Sequence, residues 1–189
     1  MTMKILRLFA VMAFAALLSA CGSMNVVSDG ADSRLMLQGH DPVAYFTVGR
    51  PVKGDPAIKA DHNGVTYRFA SAGNRETFVK DPAKYAPQYG GFCSNGMVYA
   101  VPIAGQTDNF KIIGGRLYMF GGLGSKLFFE MDQEKNLKLA DGYWESEVRD
   151  SNWRTQSWKR VWFSKVAHYK TNRELAAEYE KRYGKKPGA

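Results

Sequence analysis

Thiols and imidazoles are scarce in this 189-residue chain, which has two cysteines, Cys21 and Cys93, and three histidines, His40, His62 and His168. Two thiols exclude a disulfide framework and a cysteine-rich zinc site, and with no Cys-x-x-Cys the usual signature of disulfide exchange is missing. No pair of histidines has the i, i+4 or short-loop spacing of metal ligands. Gly-x-Ser-x-Gly is absent, and Gly121-Gly122-Leu123-Gly124-Ser125-Lys126 lacks the spacing of a phosphate loop, so it reads as a turn. No apolar run reaches the roughly 20 residues of a membrane-spanning helix. Hydrophobic residues at 45% and aromatics at 13% exclude global disorder. Acids are outnumbered 18 to 26, for a net charge of +8, which raises nucleic acid, anionic lipid or an acidic polymer as partners.

The N-terminus narrows that choice. Lys4 and Arg7, without an acid, precede the apolar run from Leu8 to Leu18, the n-region and h-region of a secretory signal peptide. Leu18-Ser19-Ala20-Cys21 resembles a bacterial lipobox, in which the cysteine thiol is alkylated with diacylglycerol and the leader is cut just before it. Residues 1–20 are therefore expected to be a lipoprotein signal peptide and Cys21 the lipidation site. Residues 21–34, rich in Ser, Asn, Asp and Gly, are expected to be a lipidated, flexible tether. Gly22, in place of an inner-membrane retention Asp, points to the outer membrane of a Gram-negative cell envelope, with the body in the periplasm. The partner implied is the membrane, through Cys21, and nucleic acid is excluded by compartment. After loss of Lys4 and Arg7 the chain carries 24 bases against 18 acids; residues 21–148 hold 13 against 14, and residues 149–189 hold 11 against 4.

In the body, Asp41 and Pro42 suit the start of a helical turn. Residues 57–61 and 65–70 flank Asn63-Gly64, a two-residue hairpin turn, with Val65, Tyr67 and Phe69 on one face and Thr66 and Arg68 on the other. Ser71 caps a helix over 72–80 that turns Phe78 and Val79 inward. Residues 110–113 and 116–120 form a second hairpin across Gly114-Gly115. The order of elements predicts an α+β fold of two hairpins and short helices over residues 35–124, followed by a helical, basic segment over 125–189 that is packed on the domain or appended to it.

Three blocks then carry a family resemblance: Gly39-His40-Asp41-Pro42-Val43-Ala44-Tyr45-Phe46, Asn63-Gly64-Val65-Thr66-Tyr67-Arg68-Phe69-Ala70-Ser71, and Asp81-Pro82-Ala83-Lys84-Tyr85-Ala86-Pro87-Gln88-Tyr89-Gly90-Gly91-Phe92-Cys93. In order and spacing they resemble the secreted bacterial branch of the YHS domain family, over roughly residues 35–120. The resemblance implies a link to small heavy-metal-binding modules. Metal-associated members carry Phe-Cys-Ser-x-x-Cys where this chain has Phe69-Ala70-Ser71-Ala72-Gly73-Asn74, so both thiols are replaced, by Ala70 and Asn74. A thiolate site cannot form there, although a metal ion held elsewhere stays open as a cofactor.

The candidate ligand-binding residues are Cys93, His40, Tyr45 and Tyr89, with Cys93 and His40 also the candidate metal ligands. Cys93 reads either as a ligand or redox thiol or as a buried apolar residue. The tyrosines line a small-ligand pocket or complete the core with one wet end. Asp141, Glu145 and Glu147 read as a solvated helix face that provides no general acid and base pair. Residues 149–170 hold six bases against Asp150, and Trp158, Val161, Trp162, Val166 and Tyr169 share a helical stripe. That stripe either completes the core or docks on an anionic surface or partner. Thr171-Asn172-Arg173-Glu174 makes a capping box for a helix that ends at Gly184.

These features describe a lipid-anchored periplasmic protein without catalysis of its own that binds a small ligand, a metal ion or a protein partner. Two alternatives stand beside it. One is an envelope adaptor whose basic, Trp-rich segment docks on membrane or on an envelope protein. The other is a thiol-dependent redox protein using Cys93.

Overall fold

Short alternating runs fold into two small sheets. The computed structural model of the chain describes residues 23–188, so Cys21 and the leader lie outside the described residues. Strands β1 (Val26–Asp29), β2 (Asp32–Met36), β3 (Asp55–His62) and β4 (Val65–Phe69) form one sheet in the order β1-β2-β4-β3. Its two outer pairs are antiparallel, and β2 runs parallel to β4. Strands β5 (Gln106–Ile113) and β6 (Arg116–Phe120) form the second sheet. Asn63, Gly64, Gly114 and Gly115 have φ of 50°, 70°, 56° and 73°, the left-handed backbone of two-residue hairpin turns. β3 and β5 extend further than alternation predicts because a register shift interrupts the pleat of each, between Asp55 and Lys59 and between Gln106 and Phe110.

The helices are short until the C-terminal segment: α1 (Ala44–Thr47), α2 (Ala72–Lys80), α3 (Pro82–Tyr85) and α4 (Ser94–Met97), then α5 (Leu123–Glu130), α6 (Gln133–Tyr143), α7 (Trp153–Trp158) and α8 (Asn172–Tyr183). The architecture is α+β, as expected. Ser71 caps α2 through a bond from the Asn74 amide (3.1 Å), and Thr171 and Glu174 form the expected capping box on α8. Two expectations on helices are corrected. Val79 is 53% exposed while its neighbour Phe78 is buried, because adjacent helical residues lie about 100° apart and α2 has one covered face. Gly122 begins α5 as its cap rather than forming a loose turn.

The flexible tether is a further correction. The Ser23 hydroxyl is buried and donates to the Ser151 carbonyl at 2.7 Å. The Asn25 amide donates to the Gly90 carbonyl (2.8 Å), and its side-chain nitrogen donates to the carbonyls of Gly91 (3.0 Å) and Gly105 (3.2 Å). Polar residues that suggested solvent here bond to neighbouring backbone, and β1 and β2 follow directly. Gly90 (φ +59°) permits the approach, since a Cβ there would lie 2.5 Å from the Ser23 carbonyl oxygen. Arg68, expected on the open face of β4, is likewise buried. It bonds to Asp32 (2.8 Å from Nε) and Asp29 (2.6 Å), while Lys59 reaches Asp32 at 2.7 Å, so the β1–β2 hairpin is tied to β3 and β4 by charge.

Strand β6 divides the interior. Leu117 and Met119 point into one cluster with Met36, Val65, Tyr67, Phe69 and Phe78. Tyr118 and Phe120 point the other way, into a cluster with Phe92, Met97, Phe129, Ala140 and Leu175. This is the period-two alternation of a strand buried on both faces. The second cluster runs from residue 89 to residue 179, so the C-terminal segment is packed on the domain and shares its core.

Candidate ligand groove

Both hairpin turns open onto one groove of about 920 Å³. His62 and Asn63 come from the β3–β4 turn, and Gly114, Gly115 and Arg116 from the β5–β6 turn. Tyr67, Tyr89 and Trp144 supply its aromatic walls. Ser23 and Met24 close one side, and α3 contributes Lys84.

Tyr89 stands in the left-handed region at φ 54°, inside the Gln88–Gly91 turn. Its hydroxyl donates to Asp141 Oδ1 at 2.8 Å, which fixes the ring against Trp144 (centroids 6.1 Å apart) and Tyr118 (5.7 Å). Burial, then the Asp141 carboxylate, drives the Tyr89 pKa well above its ordinary value, so the phenol stays protonated and donates. Asp141 is solvent-exposed, as is Glu145, in keeping with a solvated helix face, and it also acts as a positioning residue for the Tyr89 wall of the groove. Glu147 departs from that expectation: Arg160 pairs with it and the Gln156 amide bonds it at 3.2 Å, so its pKa is lowered, first by Arg160.

The groove is lined by three bases, Lys84, Arg116 and Arg149, and by two acids, Asp81 and Asp150. Arg116 has no acidic partner within ion-pair distance among the described residues, and Lys84 lies over the Tyr85 ring at 5.0 Å with no such partner either. Arg149 lines it too but is engaged by Glu145. Two guanidinium or ammonium groups beside three aromatic rings suit an anion attached to an apolar body.

Of the four candidate residues, only Tyr89 lines this groove. Tyr45 is buried in the other cluster, with its hydroxyl donating to the Thr107 carbonyl (3.1 Å) and its ring edge-on to Phe110 at 4.7 Å. His40 is half-buried and bonds the Leu37 carbonyl through Nδ1 at 2.9 Å. Cys93 is 0% exposed, beside Gly121 and bridged to Met119. Desolvation pushes its thiol pKa up, so it has neither the thiolate nor the access that ligation or exchange needs, and the ligand and redox readings of Cys93 are corrected to core packing. His62, beside the β3–β4 turn, packs against Phe78 (6.1 Å) and lines the groove. His168 bonds the Val98 carbonyl at 2.8 Å and lies between Tyr99 and Tyr143.

The place where a thiol pair would hold a metal is filled by a hydrogen-bond hub. Asp41, 0% exposed, accepts from the backbone N–H of Val43 (2.8 Å) and Ala70 (2.8 Å) and from the Asn74 side chain (2.6 Å). Its oxygens are committed to three donors, and Ala70 and Asn74 offer no soft ligand, so the residues present do not fit a metal there. Among the described residues no three His, Cys, Asp or Glu side chains converge as metal ligands do.

The Trp-rich stripe breaks after Phe163. Helix α7 runs into a wide turn, Lys159–Phe163, closed by a bond from the Ser164 amide to the Lys159 carbonyl (2.9 Å). Ser164 leaves helical geometry, so Val166 and Tyr169 are not on the same helix as Trp158 and Trp162. Among the described residues no helix is long and apolar enough to cross a membrane. A scan against protein-family models and searches of curated proteins and of solved structures return no match to this chain.

Proposed function

We propose that the chain is a YHS-like, lipid-anchored binding protein of the Gram-negative envelope, without catalysis of its own. In this reading it is held at the outer membrane through Cys21, and its groove takes a small anionic ligand with an apolar body. The observation that carries the ligand class is the pairing of unpartnered Arg116 and Lys84 with the Tyr67, Tyr89 and Trp144 walls. Charged side chains and aromatic rings line the same groove, which suits a ligand with one charged end and an apolar body. The anchored part of the reading is supported by Leu18-Ser19-Ala20-Cys21 and the family part by the three motif blocks.

Titration calorimetry with 1-naphthoate and its uncharged methyl ester tests the groove. Naphthoate is expected to bind, the ester to bind more weakly, and Arg116→Gln to weaken naphthoate about tenfold, the value of one charge-assisted contact. Equal affinity for acid and ester, unchanged in Arg116→Gln, removes the anionic-ligand reading.

A further inference from the structure

Helix α7 and its continuation pack Trp153 and Val161 against the core but leave their most exposed rings on the outer face. The face toward the body carries Gln156, whose amide donates to the Ala100 carbonyl (3.3 Å), and Ser157, whose hydroxyl donates to the Pro102 carbonyl (2.9 Å). Arg160 follows, paired with Glu147. The outer face carries Trp158, Trp162 and Phe163, which are 63%, 71% and 74% exposed. Trp158 and Phe163 stand 5.3 Å apart across a shallow notch flanked by Arg154 and Lys159. A water-facing helix normally buries its apolar stripe and exposes its polar one. Here carbonyls of the 100–102 loop need donors, so the polar residues are drawn inward and three large rings are left outside.

We infer that this aromatic tip inserts into the interfacial zone of a bilayer bearing anionic headgroups. Indole and phenyl rings ringed by cations match that zone chemically, since the rings replace water with headgroup and acyl contacts while the cations meet phosphate. Arg154 lies over the Trp153 ring (4.7 Å) and Lys165 over the Tyr169 ring (4.9 Å), neither with an acidic partner among the described residues. Lys159 is 4.0 Å from its nearest carboxylate, on Glu147.

Position argues for the same occupant. Ser23 bonds Ser151, the residue before the Asn152 cap of α7. The N-terminal chain therefore meets the body at the base of the helix that ends in the tip. The six residues of α7 and the five of its wide turn span about 16 Å at most. Only Gly22 separates Ser23 from Cys21, so two Cα–Cα steps reach no more than about 7 Å. In the anchored reading the lipid is thus attached next to the base of α7, and acylation would hold the tip at high effective concentration over the lipid. This setting rests on the anchored reading of Cys21; the tip is tested without it.

The chain from Ser23 onward contains every described residue and no lipid. It is mixed with phosphatidylcholine vesicles with and without phosphatidylglycerol, and binding is read by co-sedimentation and by the tryptophan emission maximum. Binding to the anionic vesicles with a blue shift is expected. A Trp158→Ser, Trp162→Ser, Phe163→Ser variant is expected to bind about tenfold more weakly. Arg154→Gln with Lys165→Gln is expected to lose most of the salt dependence. The thermal midpoints of both should match the parent, because the altered side chains are exposed or make no ion pair. Failure of the parent to bind anionic vesicles, or equal binding by the ring variant, overturns the inference. Concentration-dependent self-association that the ring variant abolishes, without vesicle binding, assigns the tip to a second copy and also overturns it. Mass spectrometry of the full chain from a Gram-negative host reports acylation of Cys21 separately, so an unlipidated chain whose tip still binds vesicles fails the anchored reading alone.

Discussion

Replacing Asp41 by alanine probes the point where the first motif block meets the start of α2. The carboxylate accepts three N–H donors and is inaccessible to water. Bonds to a charged acceptor contribute about 1.5–3 kcal/mol each before desolvation is subtracted. The Val43 amide is fully enclosed and loses its partner outright, whereas Ala70 and Asn74 lie nearer the surface and regain water. Removing the carboxylate also removes the penalty of its own burial, so the expected net loss is about 3 kcal/mol rather than the sum of three bonds. For a fold of this size that lowers the thermal midpoint by about 6–12 °C. Urea unfolding followed by circular dichroism measures the loss, and Asn74→Ala in both backgrounds completes a double-mutant cycle. The Asp41–Asn74 coupling should be about 1 kcal/mol. A loss below about 0.5 kcal/mol for Asp41→Ala, or a coupling of zero, would falsify the hub as a structural keystone.

Acid should weaken the fold through named groups. Lys59 and then Arg68 hold the Asp32 carboxyl below its ordinary pKa, and Arg160 does the same for Glu147. A carboxylate with a depressed folded pKa stabilises fully above its unfolded value, and that contribution is lost as pH falls through the folded one. The urea midpoint is therefore expected to drop as pH falls below about 4, less steeply in Asp32→Asn; parallel slopes for the two proteins would assign the acid sensitivity elsewhere. Cys93 should resist an aromatic disulfide reagent in the native protein and react only as the chain unfolds. Reaction within seconds in native buffer would contradict its burial.

Local chemistry was legible from residues in several places. Asn63-Gly64 and Gly114-Gly115 announce hairpins because few dipeptides adopt positive φ twice. Ser71, Thr171 and Glu174 announce helix starts because the first amides of a helix need acceptors. The groove was not legible beyond Tyr89. It is assembled from turn tips, a strap and a helix end more than a hundred residues apart, and Asp141 gains its role only when Tyr89 is folded against it. Cys93 shows the opposite failure. The glycine pair before it, Gly90-Gly91, serves to let Ser23 and the neighbouring chain press in and does not open Cys93 to a ligand.

The order of residues located the charge and predicted the α+β class, because alternation and capping are properties of neighbours along the chain. Tertiary structure decided which face each residue occupies. Arg68 is inside because Asp29 and Asp32 are there to meet it. Trp158, Trp162 and Phe163 are outside because the carbonyls of Ala100 and Pro102 claim the polar side of their helix. The basic C-terminal segment was visible in the sequence as a charge of 11 against 4. That it shares the domain's core on one side and presents bare aromatic rings on the other depends on contacts between distant segments, which no local pattern encodes.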